Sequence, residues 1–195
     1  MLYFVVIIAA AVLAVVYGII KKRSFDLFNI KLQKTWLIVV AFALQTLTRL
    51  MGVNGIDFVV KYSLIIQTAV FALLFLCFWF NKKYIGLWFI GLGASLNALV
   101  MTVNGGRMPV GLEAMQKAGI QAVTDAILSG SDNKHIVLSE TTKLGFLADI
   151  IYLPGVLGWG IGVLSIGDAI VALGIFIFVF QLCTSSMKLS DVGHE

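Results

Sequence analysis

Two aspartates, Asp149 and Asp168, lie nineteen residues apart in the segment 144–174, which is otherwise almost wholly apolar. A carboxylate at membrane depth is costly, so by default it marks a functional site or a paired structural one. Two carboxyl groups within hydrogen-bonding distance share one proton, because both cannot ionise cheaply. The ionised member can take a proton from water, and the protonated member can polarise a carbonyl and then protonate a leaving amine.

Structural roles for the same two residues compete with that chemistry. Asp168 follows Ser165 closely and can cap a helix after a local break. Asp149 can form a structural ion pair with Arg107 or Lys143. Either acid can instead line a proton or ion path.

A polar turn precedes the acids, and its residues are candidates for substrate binding. Arg107 can hold a substrate carbonyl or phosphate, while the side chains of Asn97 and Asn104 can donate hydrogen bonds to the same region. Gly105 and Gly106 allow backbone conformations that other residues rarely adopt. We therefore predict a site formed by these five residues around the two acids.

Composition defines the class of protein that must position these residues. The chain has 195 residues, of which 60% are hydrophobic and 12% charged, with a mean hydropathy of +1.01. Soluble domains are near half apolar and a quarter charged, so this pattern indicates an integral membrane protein. The net charge of +4 comes from short clusters, so nucleic acid is not a predicted partner. The two cysteines lie in apolar runs and the two histidines lie far apart, so we predict neither a metal nor another cofactor.

Apolar runs predict a single all-α integral membrane domain over residues 1–195, with five spanning helices. These helices are expected at about 2–20, 35–51, 58–80, 84–103 and 159–183. No basic residue precedes the first run, and Lys21, Lys22 and Arg23 follow it, so we predict a retained helix with its N-terminus outside. The C-terminus is then cytoplasmic, and the predicted location is the bacterial plasma membrane.

The region 104–158 is predicted to lie at the outer interface. Its segment 110–128 has the pattern of an amphipathic helix, either lying at the membrane surface or forming a solvated cap. The segment 144–153 is apolar but too short to span, which indicates a re-entrant stretch. A last helix that begins near residue 159 would place Asp168 roughly 13 Å along its axis.

The motifs around the two acids resemble those of a known peptidase family. Residues 147–151 (LADII) resemble the first aspartate motif of the lipoprotein signal peptidases (signal peptidase II), and residues 164–170 (LSIGDAI) resemble the second. The resemblance implies that Asp149 and Asp168 are a catalytic pair, since the family uses its two motif aspartates in that way. Residues 91–97 and Arg107 are similar to an earlier glycine-asparagine and arginine motif. Ser165 stands where the family has asparagine.

The same residues also resemble a second family. The sequences NGGRMPV (104–110), LGFLADIIYLP (144–154) and SIGDAIVALG (165–174) are similar to those of small uncharacterised bacterial membrane proteins. That resemblance covers most of the chain and implies no known activity.

Together these features predict an intramembrane aspartyl-dyad peptidase that acts near the outer face on a membrane-embedded peptide or lipopeptide. One alternative is a non-enzymatic membrane subunit or receptor that binds a membrane lipid or amphiphile under the segment 110–128, with Arg107 as its anchor. Another is a small transport or proton-path subunit in which Asp168 titrates.

Overall fold

The computed structural model describes residues 2–21, 23–25, 32–130, 132–154, 162–185 and 187–189. Those residues form eight α-helices and six short β-strands. The helices are α1 (Leu2–Ile20), α2 (Trp36–Val53), α3 (Asp57–Lys61), α4 (Ser63–Phe80), α5 (Ile85–Val103), α6 (Leu112–Ala118), α7 (Gln121–Leu128) and α8 (Ile166–Ser185). The strands are β1 (Arg23–Phe25), β2 (Met108–Val110), β3 (His135–Val137), β4 (Ile151–Tyr152), β5 (Val163–Leu164) and β6 (Met187–Leu189).

Five of these helices, α1, α2, α4, α5 and α8, are long and apolar enough to cross a membrane. Large apolar side chains remain on their outer surface; Ile19, Phe42 and Trp79 are 72%, 73% and 68% exposed. A soluble protein rarely leaves a continuous apolar surface of this kind uncovered. The predicted all-α polytopic membrane architecture is therefore confirmed.

The third predicted helix, 58–80, is divided in the structure. Helix α3 ends at Lys61 and α4 begins at Ser63, with Tyr62 between them. The Ser63 hydroxyl donates to the carbonyls of Val60, at 2.9 Å, and Gly105, at 3.2 Å. The break therefore lies where the Ser63 hydroxyl reaches the turn that follows α5.

The spanning helices pack in a row, with α8 between α1 and α5, and with α4 between α5 and α2. The α5–α8 contact depends on glycine. A Cβ added at Gly93 would lie 2.8 Å from the Val171 nitrogen, and one added at Gly174 would lie 2.5 Å from the Ile90 nitrogen. Small residues let two backbones approach this closely, which is how helices associate in a membrane.

The described residues 104–130, 132–154 and 162–165, which we call the cap, cover one end of the bundle. Strand β2 pairs in parallel with β3, so that Val110 lies opposite Val137. On the other side of β2, Val110 forms a parallel bridge with Asp149. Apolar side chains from α5 and the cap, including Val100, Met101, Met108 and Leu147, form a shared buried cluster that fixes the cap on the bundle.

One structural prediction for the cap needs correction, and another stays a prediction. The segment 110–128 is not one amphipathic helix, because Val110 belongs to β2 and the rest divides into α6 and α7. Gly119 ends α6 in the left-handed conformation, with φ of 65°, which glycine adopts without steric cost. The segment 144–153 is a 3-10 turn followed by an extended stretch that ends in β4, and its depth in a membrane stays a prediction.

Candidate functional site

Backbone pairing fixes Asp149 beside β2. The Asp149 N–H donates to the Pro109 carbonyl at 2.9 Å, and the Gly111 N–H donates to the Asp149 carbonyl at 3.0 Å. Two residues further on, Ile151 pairs with Leu164 and Tyr152 pairs with Val163, in antiparallel register. This short ladder places Asp149 next to the start of α8, where Asp168 lies.

Asp168 lies in the first turn of α8, where it forms a reciprocal cap with Ser165. The Asp168 N–H donates to the Ser165 hydroxyl at 2.9 Å, and the Ser165 N–H donates to the Asp168 carboxylate at 3.1 Å. This is the capping-box arrangement, which satisfies two backbone donors that a helix start leaves free. The prediction that Asp168 can cap a helix is confirmed.

The start of the last helix corrects the predicted depth of Asp168. Residues 155–161 lie outside the described part of the chain, but Gly162 is left-handed with φ of 70°, Val163 and Leu164 form β5, and α8 begins at Ile166. The prediction of a helix from 159 was therefore wrong. Asp168 lies roughly 3 Å along the axis from the first helical residue, not 13 Å, because each residue adds about 1.5 Å.

Two further side chains hold the Asp168 carboxylate. The Asn97 amide donates to its Oδ1 at 2.9 Å, and the Tyr3 hydroxyl donates to the same oxygen at 2.9 Å. The Ser165 hydroxyl in turn donates to the Asn97 amide oxygen at 3.0 Å. Three donors therefore fix the position of the Asp168 carboxylate.

Tyr3 was missed in the sequence analysis. A lone hydroxyl near the start of an apolar helix was the available signal, because a buried hydroxyl needs a partner. Its partner lies 165 positions away on another helix. Sequence spacing alone does not pair residues at that separation.

The two carboxyl groups are close enough to influence each other's charge, which the motif spacing allowed. Asp149 is 8% exposed, and its Oδ1 is buried with no hydrogen-bond partner among the described residues. Burial is the main cause that raises the pKa of Asp149 to about 8. The charge of Asp168 and hydrogen bonding to Asp168 also raise this pKa, whereas the charge of Lys134 lowers it. At neutral pH Asp149 therefore mainly retains its proton. The alternative of an ion pair with Arg107 or Lys143 is wrong, because Asp149 forms no salt bridge with either of these described residues.

A cavity of about 270 Å³ adjoins Asp149. Its polar wall carries Asp149, Arg49 and His135, and its apolar wall comes from β2, α6, α7 and β5. The His135 Nδ1 lies 3.2 Å from the Asp132 carboxylate, and burial lowers the pKa of the imidazole although Asp132 opposes that shift. Arg49 and His135 are not among the residues predicted for the site. Arg49 precedes Asp149 by 100 residues and His135 precedes it by 14.

The other predicted binding residues have contacts within the chain. The Asn104 amide donates to the carbonyls of Val100 and Lys143, both at 2.8 Å, and its oxygen accepts the Lys143 N–H at 3.0 Å. Gly105 and Gly106 form the left-handed turn after α5, where Gly106 packs directly on the Leu64 backbone. Arg107 is half-buried and is not among the described residues that line the cavity. Of the five, only Asn97 contacts an acid of the pair, and substrate binding by any of them stays a prediction.

No group of three or more histidine, cysteine or carboxylate side chains is close enough to hold a metal ion in the ranges that the structure describes. The groups that the site offers for chemistry are two acids, amide and hydroxyl donors, and the Arg49 guanidinium.

Comparison with known proteins gives a family. Residues 29–180 match a family of unknown function, DUF5317. The chain belongs to the DUF5317 family. An uncharacterised protein of Thermotoga maritima is 35% identical over 126 residues, which cover 64% of this chain and 68% of that protein. No solved structure matches the chain.

The DUF5317 match bears on both resemblances. It confirms the kinship with uncharacterised proteins, and it includes both acids, Asn97 and the cap. Neither the family nor the Thermotoga relative points to signal peptidase II. A peptidase role for this DUF5317 member is therefore a proposal, argued from the geometry of the acid pair.

Proposed function

We propose that this protein is a membrane-embedded aspartyl peptidase in which Asp149 and Asp168 form the catalytic pair. The observation that supports the proposal is the electrostatic interaction between two carboxyl groups in different surroundings. Asp168 accepts hydrogen bonds from Tyr3, Asn97 and the Ser165 backbone. Asp149 is buried, mainly keeps its proton at neutral pH and has an oxygen without a partner in the part of the chain that the structure describes.

This asymmetry assigns a role to each acid. Ionised Asp168 takes a proton from a water molecule, whose oxygen forms a bond to the substrate carbonyl carbon. Protonated Asp149 donates a hydrogen bond to the carbonyl oxygen and then gives its proton to the leaving amine as the carbon–nitrogen bond breaks. Transfer of the proton from Asp168 to Asp149 restores the starting state. The reaction consumes one water molecule and one peptide bond.

We further propose that the cap faces the outside of a bacterial plasma membrane. Six of the 12 lysines and arginines that the structure describes lie at the opposite end of the bundle; these are Lys21, Arg23, Lys34, Lys82, Lys83 and Lys188. Basic residues accumulate on the cytoplasmic side of membrane proteins. A site at the cap end would then act on membrane-embedded peptides or lipopeptides near the outer surface.

The test uses the purified chain in lipid nanodiscs and a pool of internally quenched peptides that each contain an apolar stretch. We expect cleavage by the wild-type chain, and a loss of roughly a hundredfold or more in Asp149→Asn and Asp168→Asn, the usual scale of general acid–base catalysis. Asp125→Asn is the matched control, because Asp125 is exposed on α7 and is not among the residues that line the cavity. Full activity in either pair variant, or no cleavage by the wild-type chain, would contradict the proposal.

A further inference from the structure

The cavity beside Asp149 has the size of a single substrate group. Its volume of about 270 Å³ lies just below the range of roughly 300–1,000 Å³ that is usual for small-molecule pockets. It can therefore accept one apolar side chain with its attached polar group, whereas a long lipid chain would not fit. Asp149 belongs to its lining; the side chain is more than nine-tenths buried, and its Oδ1 has no hydrogen-bond partner among the described residues.

One wall of the cavity is apolar. Met115 of α6 and Val123 of α7 line it, together with Ile120 between these helices, and Met115 is fully buried. These side chains belong to the apolar cluster that also holds Val110 and Ile127. The wall is thus supported by packing behind it, and it would favour a branched or linear aliphatic group over a polar one.

The other wall carries an uncompensated positive charge. Arg49 lines the cavity and forms no salt bridge within the described ranges. Asp149 mainly keeps its proton at neutral pH, and His135 is held neutral by burial, although its Nδ1 contacts Asp132. A guanidinium presents paired donors that match a carboxylate. A cavity with one apolar wall and a guanidinium on the other fits a ligand that carries both an apolar group and a negative charge.

We propose that this cavity is the specificity subsite of the peptidase, and that it binds an apolar residue of the substrate whose free carboxylate pairs with Arg49. This inference rests on the proposed function, because the acid pair beside the subsite supplies the chemistry. The substrate class is then a peptide that ends in an aliphatic residue with a free carboxyl group near the cleaved bond.

Binding of small probes to the full chain in phosphatidylcholine nanodiscs tests the subsite, with saturation-transfer NMR as the measurement. N-acetyl-leucine carries both features, N-acetyl-leucinamide lacks the charge, and N-acetylglycine lacks the apolar group. We expect N-acetyl-leucine to bind at least fivefold more tightly than either of the others. Equal binding of the three probes would overturn the inference.

Variants of the chain assign the binding to the cavity. Arg49→Gln should reduce the affinity for N-acetyl-leucine to that for the amide, whereas Lys61→Gln, an exposed cation outside the cavity lining, should leave it unchanged. Val123→Phe should weaken binding by filling the cavity, and Leu128→Phe, exposed on the same helix, should not. An unchanged affinity in Arg49→Gln would overturn the inference.

Two further measurements separate the possible outcomes. Asp168→Asn, which lies outside the cavity lining, should keep Arg49-dependent probe binding while it loses cleavage; if that variant cleaves fully, the peptidase proposal fails while the binding site stands. The variant Arg49→Gln is also compared with the wild type on peptides that end in a free carboxylate and on peptides that end in an amide. If both proteins cleave each kind of peptide equally well, the subsite proposal is wrong while the peptidase proposal stands. Displacement of N-acetyl-leucine by phosphatidylglycerol nanodiscs would assign Arg49 to a lipid headgroup and overturn the inference.

Discussion

Asp168 is held by donors that come from three separate parts of the chain: Tyr3 on α1, Asn97 on α5 and the Ser165 backbone before α8. Asp149, in contrast, interacts electrostatically with Asp168 and lines a cavity, and one of its oxygens has no partner within the described ranges. The two carboxyl groups differ in their surroundings and not in residue type. The donors around Asp168 and the burial of Asp149 each lead to a prediction that can be measured.

Removal of one donor to Asp168 should slow the proposed reaction without abolishing it. In Tyr3→Phe we expect kcat to fall about tenfold with KM unchanged, since a hydrogen bond to a charged group contributes roughly 1.5–3 kcal/mol. Steady-state cleavage of the best substrate from the peptide pool measures both constants. Tyr17→Phe is the control, because Tyr17 lies on the same helix and packs its ring on Phe180 at a centroid distance of 5.9 Å. An equal loss in both variants would assign Tyr3 a merely structural role.

The raised pKa of Asp149 predicts how stability depends on pH. The folded protein holds a proton on Asp149 up to about pH 8, whereas the unfolded chain releases it near 3.8. Between these values the folded state binds more protons, so stability falls as pH rises, with a contribution from this group approaching 1.4 kcal/mol per pH unit. Thermal unfolding in detergent between pH 4.5 and 8 measures the slope. Asp149→Asn should flatten it, Asp125→Asn should not, and an unchanged slope in Asp149→Asn would contradict the assignment.

At the scale of elements, the contact between α5 and α8 positions Asn97 beside Asp168. Gly93 lies directly against the Gly167 carbonyl, one turn before Asn97. Gly91 is on the same helix, but a Cβ there would meet its nearest atom, on Phe78, at 3.8 Å. The two glycines therefore serve as a matched pair for testing the packing.

Gly93→Ala should force the two helices apart. We expect it to destabilise the protein by about 1–3 kcal/mol, as overpacked core substitutions do, and to weaken the Asn97–Asp168 contact and hence cleavage. Gly91→Ala has room for its methyl group and should be neutral or stabilising by up to about 1 kcal/mol, since alanine favours helix over glycine. Denaturation in mixed micelles measures both variants. Equal stability of the two would show that α5 and α8 are not closely packed.

At the scale of the whole molecule, the five spanning helices alternate in direction, so the cap and the start of α1 share one end. Tyr3 and Asp168 meet at that end, while β1 pairs with β6 at the other. The functional proposal depends on which side of the membrane the cap faces.

Cysteine labelling in intact cells tests this orientation. Glu140→Cys, exposed in the cap, should react with a membrane-impermeant maleimide before lysis. Lys82→Cys, exposed at the opposite end, should react only after lysis. The reverse pattern would place the acid pair on the cytoplasmic side and contradict the proposed outer location.

The sequence by itself determined the five spanning segments and the two acids, because apolar run length and a carboxylate in apolar surroundings are local properties. The predicted first helix, 2–20, agrees with α1 at both ends. The start of α8 could not be read from its apolar pattern, since Val163 and Leu164 are apolar but pair as the strand β5. Pairing partners, unlike run lengths, are set by the fold.

Only the tertiary structure decided which residues join the acids. Tyr3, Arg49 and His135 reach the site from three distant segments, whereas Asn104, close to it in the motif, bonds to the backbone of Lys143 instead. The physical reason is that burial in the folded chain brings polar groups together regardless of their separation in sequence. A pattern read along the chain indicates which groups need partners, and packing in three dimensions selects them.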